Sequence, residues 1–173
     1  MSEVTSASSV WSRFTAKAEL VGAVVMRTGS QATAPSLFRV ATGEVRHTAS
    51  VGARFPGLAS SLGSQPIGSG EPSAEVVAVA EFAVAETGSV ALHEPAVDRG
   101  ACFLSERLWV LVSERDIVAS LAEGMQRIRD LVRAGARHPL LMTGPSRTAD
   151  IERVLTIGVH GPRALVIVVI GNP

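Results

Sequence analysis

LWVLVS (Leu108–Ser113), the charged break ERD (Glu114–Asp116) and the run Ile117–Arg133 decide the fold. The first segment is continuously apolar, with valines and a tryptophan, the pattern of a strand buried on both faces. After the break the period changes. Ile117, Leu121, Met125, Ile128 and Val132 step by three or four residues, which is amphipathic helix spacing. Asp116 near the start, Arg129 and Arg133 near the end, and Gly135 just beyond agree with helix polarity and supply a stop. A doubly buried strand running into a helix is the repeating unit of an α/β sheet.

Working outward, Pro139–Thr143 reads as the next strand, Thr148–Leu155 as a short helix and Ala164–Ile170 as a final buried strand. Upstream, Phe82–Glu86 and Ser89–His93 read as two strands joined through Thr87-Gly88, a hairpin that makes the sheet mixed. Leu20–Met26 is a valine-rich strand closed by Gly29-Ser30, and Pro35 suits an early helical position before Leu37, Phe38 and Val40. Glu44–Ser50 is a weaker strand, followed by a short helix near Gly57–Leu62 and a loop at Gln65–Pro72. Val10, Trp11, Phe14 and Ala18 mark a short helix, and residues 1–9 are expected to fray. The expected architecture is a mostly parallel, mixed sheet with helices on both faces.

Composition narrows the function. Sixteen basic residues balance sixteen acidic ones across 173 positions, aromatics make up 4%, and tyrosine is missing. Nucleic acid demands phosphate-neutralising charge and stacking rings, so no nucleic-acid partner is expected. Cys102 is the single cysteine, which excludes an internal disulfide and any thiolate-held cluster within this chain. Flanked by Phe103 and Leu104, it reads as a small buried hydrophobe. The first residues lack a basic segment followed by an apolar one, and runs such as Ala164–Ile170 fall far short of the ~18 residues of a membrane span. A cytoplasmic protein with no membrane span is expected.

Three segments could carry chemistry. Thr143-Gly144-Pro145-Ser146-Arg147-Thr148-Ala149-Asp150-Ile151-Glu152 follows a strand. Read as strand–turn–helix, it aims backbone N–H groups at the sheet edge, with Ser146 capping and Arg147 offering a fork of donors to a carboxylate or phosphate. It equally reads as an ordinary helix cap with Arg147 and Asp150 paired at the surface. Gly158-Val159-His160-Gly161-Pro162 places a histidine suited to acid–base work between glycines, or a hydrogen-bonding strut. Glu86-Thr87-Gly88-Ser89 sets a carboxylate at a strand end beside a turn where Gly88 supplies positive φ. There is no Walker loop, and Gly68-Ser69-Gly70-Glu71-Pro72-Ser73 lacks the third glycine of a dinucleotide fingerprint. His47, His93, His138 and His160 show no metal-ligand spacing, so no metal site is expected.

Taken together, AETGSVAL (Ala85–Leu92), TGPSRTADIE (Thr143–Glu152) and GVHGP (Gly158–Pro162) resemble the LUD-domain family, and more narrowly its lactate-utilization protein C (LutC/YkgG) group. The resemblance implies a NagB/RpiA/CoA-transferase-like three-layer α/β/α sandwich, with residues 1–19 an N-terminal arm and short helix and residues 20–173 the LUD domain. It further implies a part in oxidising L-lactate to pyruvate alongside iron–sulfur partner proteins, with no cofactor bound by this chain. The family's recurrent residues carry over as Glu86, Thr87, Gly88, Gly144, Pro145, Ser146, Arg147, Thr148, Asp150, Glu152, His160 and Gly161. Where relatives often carry a histidine, early in 108–113 and again near Val166, this chain is apolar, and Ser89 stands where threonine is common.

Three functions remain open at this level. One is a non-redox accessory subunit that binds a small anion, or a partner, where Glu86, Ser146 and His160 converge. Another is a stand-alone enzyme on a phosphorylated sugar or CoA ester, with Glu86, Asp150 or His160 as its acid–base or nucleophilic group. The third is a structural scaffold whose motifs only fix loops.

Overall fold

The computed structural model of the chain describes residues 2–40, 44–62, 74–148, 156–157 and 161–171. One eight-stranded sheet organises it, and its axis is a ten-residue strand, β3 (Glu75–Val84). The strands before it are β1 (Val24–Thr28) and β2 (Val45–His47); those after it are β4 (Ser89–Leu92), β5 (Arg107–Ser113), β6 (Ile117–Val118) and β7 (Leu140–Met142). A two-stranded ribbon, β8 (Arg147–Thr148) with β9 (Thr156–Ile157), stands apart from the sheet, and β10 (Ala164–Ile170) returns to it. The order is β1-β10-β5-β3-β4-β7.

Partners change along β3. Its first half runs parallel to β5 on one side and β2 on the other; its second half pairs antiparallel with β4 and parallel with β6. An irregularity between Ala80 and Phe82 marks the change, as a bulge does where a strand is re-aimed. The sheet is therefore mixed and mostly parallel, as the hairpin at Thr87-Gly88 implied.

Helices cover both faces. The 19-residue α1 (Ser2–Leu20) and α4 (Ala96–Leu104) lie on one, where Phe14, Ala18, Ala101 and Cys102 meet Leu108, Val110, Leu165 and Ile167. A 3-10 segment (Gln31–Val40), α2 (Ala49–Arg54) and α3 (Pro56–Leu62) cover the other, with Phe38, Val51, Phe55 and Leu58 against Val77, Trp109, Leu111 and Val168. Phe38 and Trp109 meet as tilted rings with centroids 4.9 Å apart. The 13-residue α5 (Leu121–Arg133) covers Phe82, Val84, Ala91 and Val118. Alternate residues of β5 thus enter opposite layers, which is why LWVLVS is apolar throughout.

Four local expectations are corrected. Helix α1 starts at Ser2 and takes in most of the segment expected to fray, which contains neither Gly nor Pro to stop it. The strand expected at Phe82–Glu86 begins at Glu75 and ends at Val84; its alanines lower the β signal of a strand buried on both faces. Ile117 and Val118 form β6, and the helix starts only after Ser120, whose side chain and that of Glu123 make a reciprocal capping box. Finally, Arg147 and Thr148 lie in β8, so no helix starts at Ser146, while Ala149–Leu155 fall outside the described residues. Gly135 has φ of 97° just beyond α5, the stop expected of it.

Candidate functional site

Strands β4 and β7 are antiparallel neighbours, with Val90 opposite Met142. That register brings the residues just before β4 beside those just after β7, so the first two motifs share one end of the sheet. Hydroxyls join them: Thr87 Oγ1 and Ser89 Oγ are 2.7 Å apart, and Ser89 Oγ and Thr143 Oγ1 are also 2.7 Å apart. Ser89 is buried, Thr87 half-buried and Thr143 exposed, so the line runs outward to the surface. Each hydroxyl gives one proton and accepts others, so the line can run in either direction.

The third motif arrives from β10. The Ser146 N–H donates to the Pro162 carbonyl at 2.9 Å, and a Cβ on Gly161 would stand 3.2 Å from Ser146 Cβ. Ser146 and Gly161 are therefore adjacent. His160, Asp150 and Glu152 lie outside the described residues, as does the side chain of Thr148.

Two motif glycines seat the end of α1. Gly88 (φ 70°) and Gly144 (φ 72°) both use left-handed backbone, and a Cβ on either would overlap main-chain atoms, at Lys17-Ala18 and Val21 respectively. Gly22 receives Arg147 in return: the guanidinium lies where a Gly22 side chain would stand. Arg147 is exposed, and among the described residues no carboxylate pairs with it.

Glu86 is exposed and one of its oxygens is engaged by α5. Its Oε2 accepts the Leu121 N–H at 2.7 Å, so it caps the first turn of α5 and ties the β3–β4 turn to that helix. Among the described residues, this end of the sheet offers the one proton left over by the hydroxyl line and a guanidinium that no carboxylate holds, donors suited to a small oxyanion or carboxylate.

A second polar group escaped the sequence reading. Glu94 and Asp98 are both buried beside the start of α2. Glu94 accepts from Thr48 Oγ1 (2.9 Å), Ser50 Oγ (2.6 Å) and the Val79 N–H (3.4 Å), and Asp98 accepts the Ala49 N–H (2.9 Å). Glu94 thus serves backbone at the seam where β3 passes from β2 to β4. Burial pushes its carboxyl above the usual glutamate range and Asp98 adds to this, against the lowering effect of its three donors. Burial likewise pushes the Cys102 thiol up, with Glu94 and Asp98 contributing, so it behaves as core. No local signal marks either acid, because their partners lie 15 to 49 residues away. Among the described residues no cluster of His, Cys, Asp and Glu is arranged to hold a metal.

Comparison with known proteins agrees with the motifs. The LUD domain model matches residues 76–170, more than half of the chain. This chain belongs to the LUD-domain family. It is 33% identical over 115 residues to lactate utilization protein C of Geobacillus thermodenitrificans, covering 64% of this chain and 48% of that protein. It is 39% identical over 92 residues to lactate utilization protein C of Deinococcus radiodurans, covering 51% and 42%. The YkgG protein of Escherichia coli is 31% identical over 112 residues, covering 62% and 48%. This LUD chain thus spans about half the length of the curated relatives it matches. A crystal structure of a DUF162 family protein from Deinococcus radiodurans superposes with a TM-score of 0.72 at 23% identity, covering 95% of this chain and 98% of that one. That likeness establishes the shared α/β fold. Within the described residues no helix is long and apolar enough to cross a membrane.

Proposed function

We propose that this LUD-domain chain serves lactate utilization as a subunit without a redox centre, holding a small carboxylate while iron–sulfur partner proteins carry the electrons. The observation that carries the reading is the hydroxyl line Thr87–Ser89–Thr143 at the motif-bearing end of the sheet that also presents Arg147. The names of the relatives supply the pathway. A guanidinium fork fits a carboxylate with two parallel hydrogen bonds, and hydroxyls suit the oxygen of a 2-hydroxy or 2-oxo acid. Glu86, Gly88 and Gly144 build the edge, and Arg147 with the hydroxyls does the binding. With the buried Cys102 as its one cysteine this chain offers no thiolate set for a cluster, which supports placing the electrons on partner proteins, and the cytoplasm is the compartment in which we place it.

Thermal shift with L-lactate, pyruvate, sugar phosphates and CoA esters tests the ligand. Saturable stabilisation by L-lactate or pyruvate, lost in Arg147→Ala, is expected; stabilisation by phosphate compounds alone would favour a stand-alone enzyme instead. Co-expression with the iron–sulfur proteins of lactate oxidation tests the partners. If no complex forms and deletion of the gene leaves growth on lactate intact, the pathway assignment fails.

A further inference from the structure

The starts of three parallel strands stand in one row. Ala164 of β10 is in register with Arg107 of β5, and Arg107 with Glu75 of β3. Neighbours in register share a face of the sheet, so a methyl group stands beside a guanidinium and a carboxylate. The main chain is pinned here: the Arg107 N–H donates to the Ala74 carbonyl and the Ala164 N–H to the Glu106 carbonyl, each at 2.9 Å. Ala164 is too short to fill the row, and a recess of about 180 Å³ opens, lined by Glu75, Glu106, Arg107, Arg163 and Ala164.

Its charges fall into an inner pair and a rim. Arg107 Nη1 donates to Glu75 Oε1, and Trp109 Nε1 donates to the other oxygen. Glu106 and Arg163 are exposed, and among the described residues neither is in an ion pair. An anion and a cation thus line the same recess without meeting. A simple anion drawn to Arg163 would also face Glu106 and the buried Glu75, and a simple cation would face both arginines. A molecule carrying both charges meets opposite charge at each end and adds no net charge to a recess of two acids and two arginines. Drug-sized ligands take about 300–1,000 Å³, so the occupant is smaller than these.

We propose that this recess binds a small zwitterion of the α-amino-acid class, its carboxylate on Arg163 and its ammonium on Glu106. The site is independent of the lactate reading, since neither Arg147 nor the Thr87–Ser89–Thr143 line takes part.

Titration of the full chain with the common α-amino acids, followed through backbone amide chemical shifts, tests this. Saturable shifts at Glu106, Arg107 and Arg163 are expected with at least one of them, and none with acetate or methylammonium at the same concentration. Arg163→Ala and Glu106→Ala, both at exposed positions, each weaken binding at least about tenfold without lowering Tm. Ala164→Leu fills the recess and abolishes binding, whereas Arg147→Ala binds as wild type does. The proposal is overturned if no amino acid shifts these amides saturably, or if acetate shifts them equally well, which would make the recess a plain anion site. Affinity unchanged in both Arg163→Ala and Glu106→Ala also overturns it, because the amino acid would then be bound elsewhere.

Discussion

The Arg147 guanidinium rests against the backbone of Gly22, in the space any other side chain at that position would need. Gly22 belongs to the turn between α1 and β1 and has φ of 91°, so it meets both a conformational and a steric requirement. The contact lets Arg147 leave the β8 ribbon and lie across the α1–β1 turn. Among the described residues no carboxylate holds this guanidinium.

Gly22→Ala should cost about 1–2 kcal/mol from left-handed strain and should also displace the guanidinium. Urea unfolding of Gly22→Ala, Arg147→Ala and the double variant separates the two effects. Arg147→Ala alone is expected to stay within about 0.5 kcal/mol of wild type, as surface substitutions do. In the Arg147→Ala background Gly22→Ala should retain the strain cost and lose the steric part. A double variant that merely adds the two single losses would mean that the contact carries no energy.

Gly88→Ala and Gly144→Ala face main chain in place of a flexible arginine. Each combines positive φ with collision against the end of α1, so each should cost above about 2 kcal/mol. Gly29→Ala and Gly57→Ala meet open space without positive φ and serve as controls, expected within about 1 kcal/mol of wild type. Equal losses across all four positions would remove the reason given for the motif glycines.

Much of this was legible in the sequence because it rests on local periodicity or turn chemistry. Leu108–Ser113 and Ala164–Ile170 are doubly buried strands with few alternatives, and Gly88 and Gly135 occupy the conformations their surroundings demanded. What escaped depends on partners distant in the chain. The apolar line of α5 gave the helix, but not how far the sheet would reach beneath it, so half of that line is uncovered. Nothing near Glu86 in the chain reveals Leu121, 35 residues on, as a donor to its carboxylate. Ser120-x-x-Glu123 was a readable capping box hidden by the apolar Ile117-Val118 before it.

Glu94 makes stability depend on pH in a direction opposite to that of an ion-paired acid. Its pKa is raised by burial, so the folded protein holds the proton more tightly than the unfolded chain. The stabilisation is full below the unfolded pKa and is lost as pH rises through the raised folded value. Glu94→Gln keeps an acceptor for Thr48 and Val79, turns an amide N–H toward the Ser50 hydroxyl, and cannot ionise. As pH rises above the unfolded carboxylate value of about 4.3, wild type should therefore lose stability relative to Glu94→Gln, by no more than about 1.4 kcal/mol per pH unit, until the folded carboxyl has ionised. Parallel pH profiles from urea unfolding would show that Glu94 is solvated after all.

Glu75 sits at the opposite end of β3 and tests what a buried charge requires. It is 2% exposed, and its two oxygens accept Arg107 Nη1 and Trp109 Nε1, each at 2.7 Å. Arg107 itself is 30% exposed and its guanidinium carbon lies 5.9 Å from the Trp109 ring centroid, so solvent screens part of the pair. Arg107→Ala removes a guanidinium donor from a buried carboxylate and should cost about 2–4 kcal/mol, below the full cost of a sealed pair. Glu75→Gln removes the buried charge while keeping an acceptor for Trp109, and should cost only about 1–2 kcal/mol. The order of the two losses is the decisive quantity. Removing the guanidinium hurts more than replacing the acid only if the Arg107–Glu75 contact carries the energy. Chemical denaturation at neutral pH that gave the reverse order would mean that Arg107 contributes through packing on Trp109 instead.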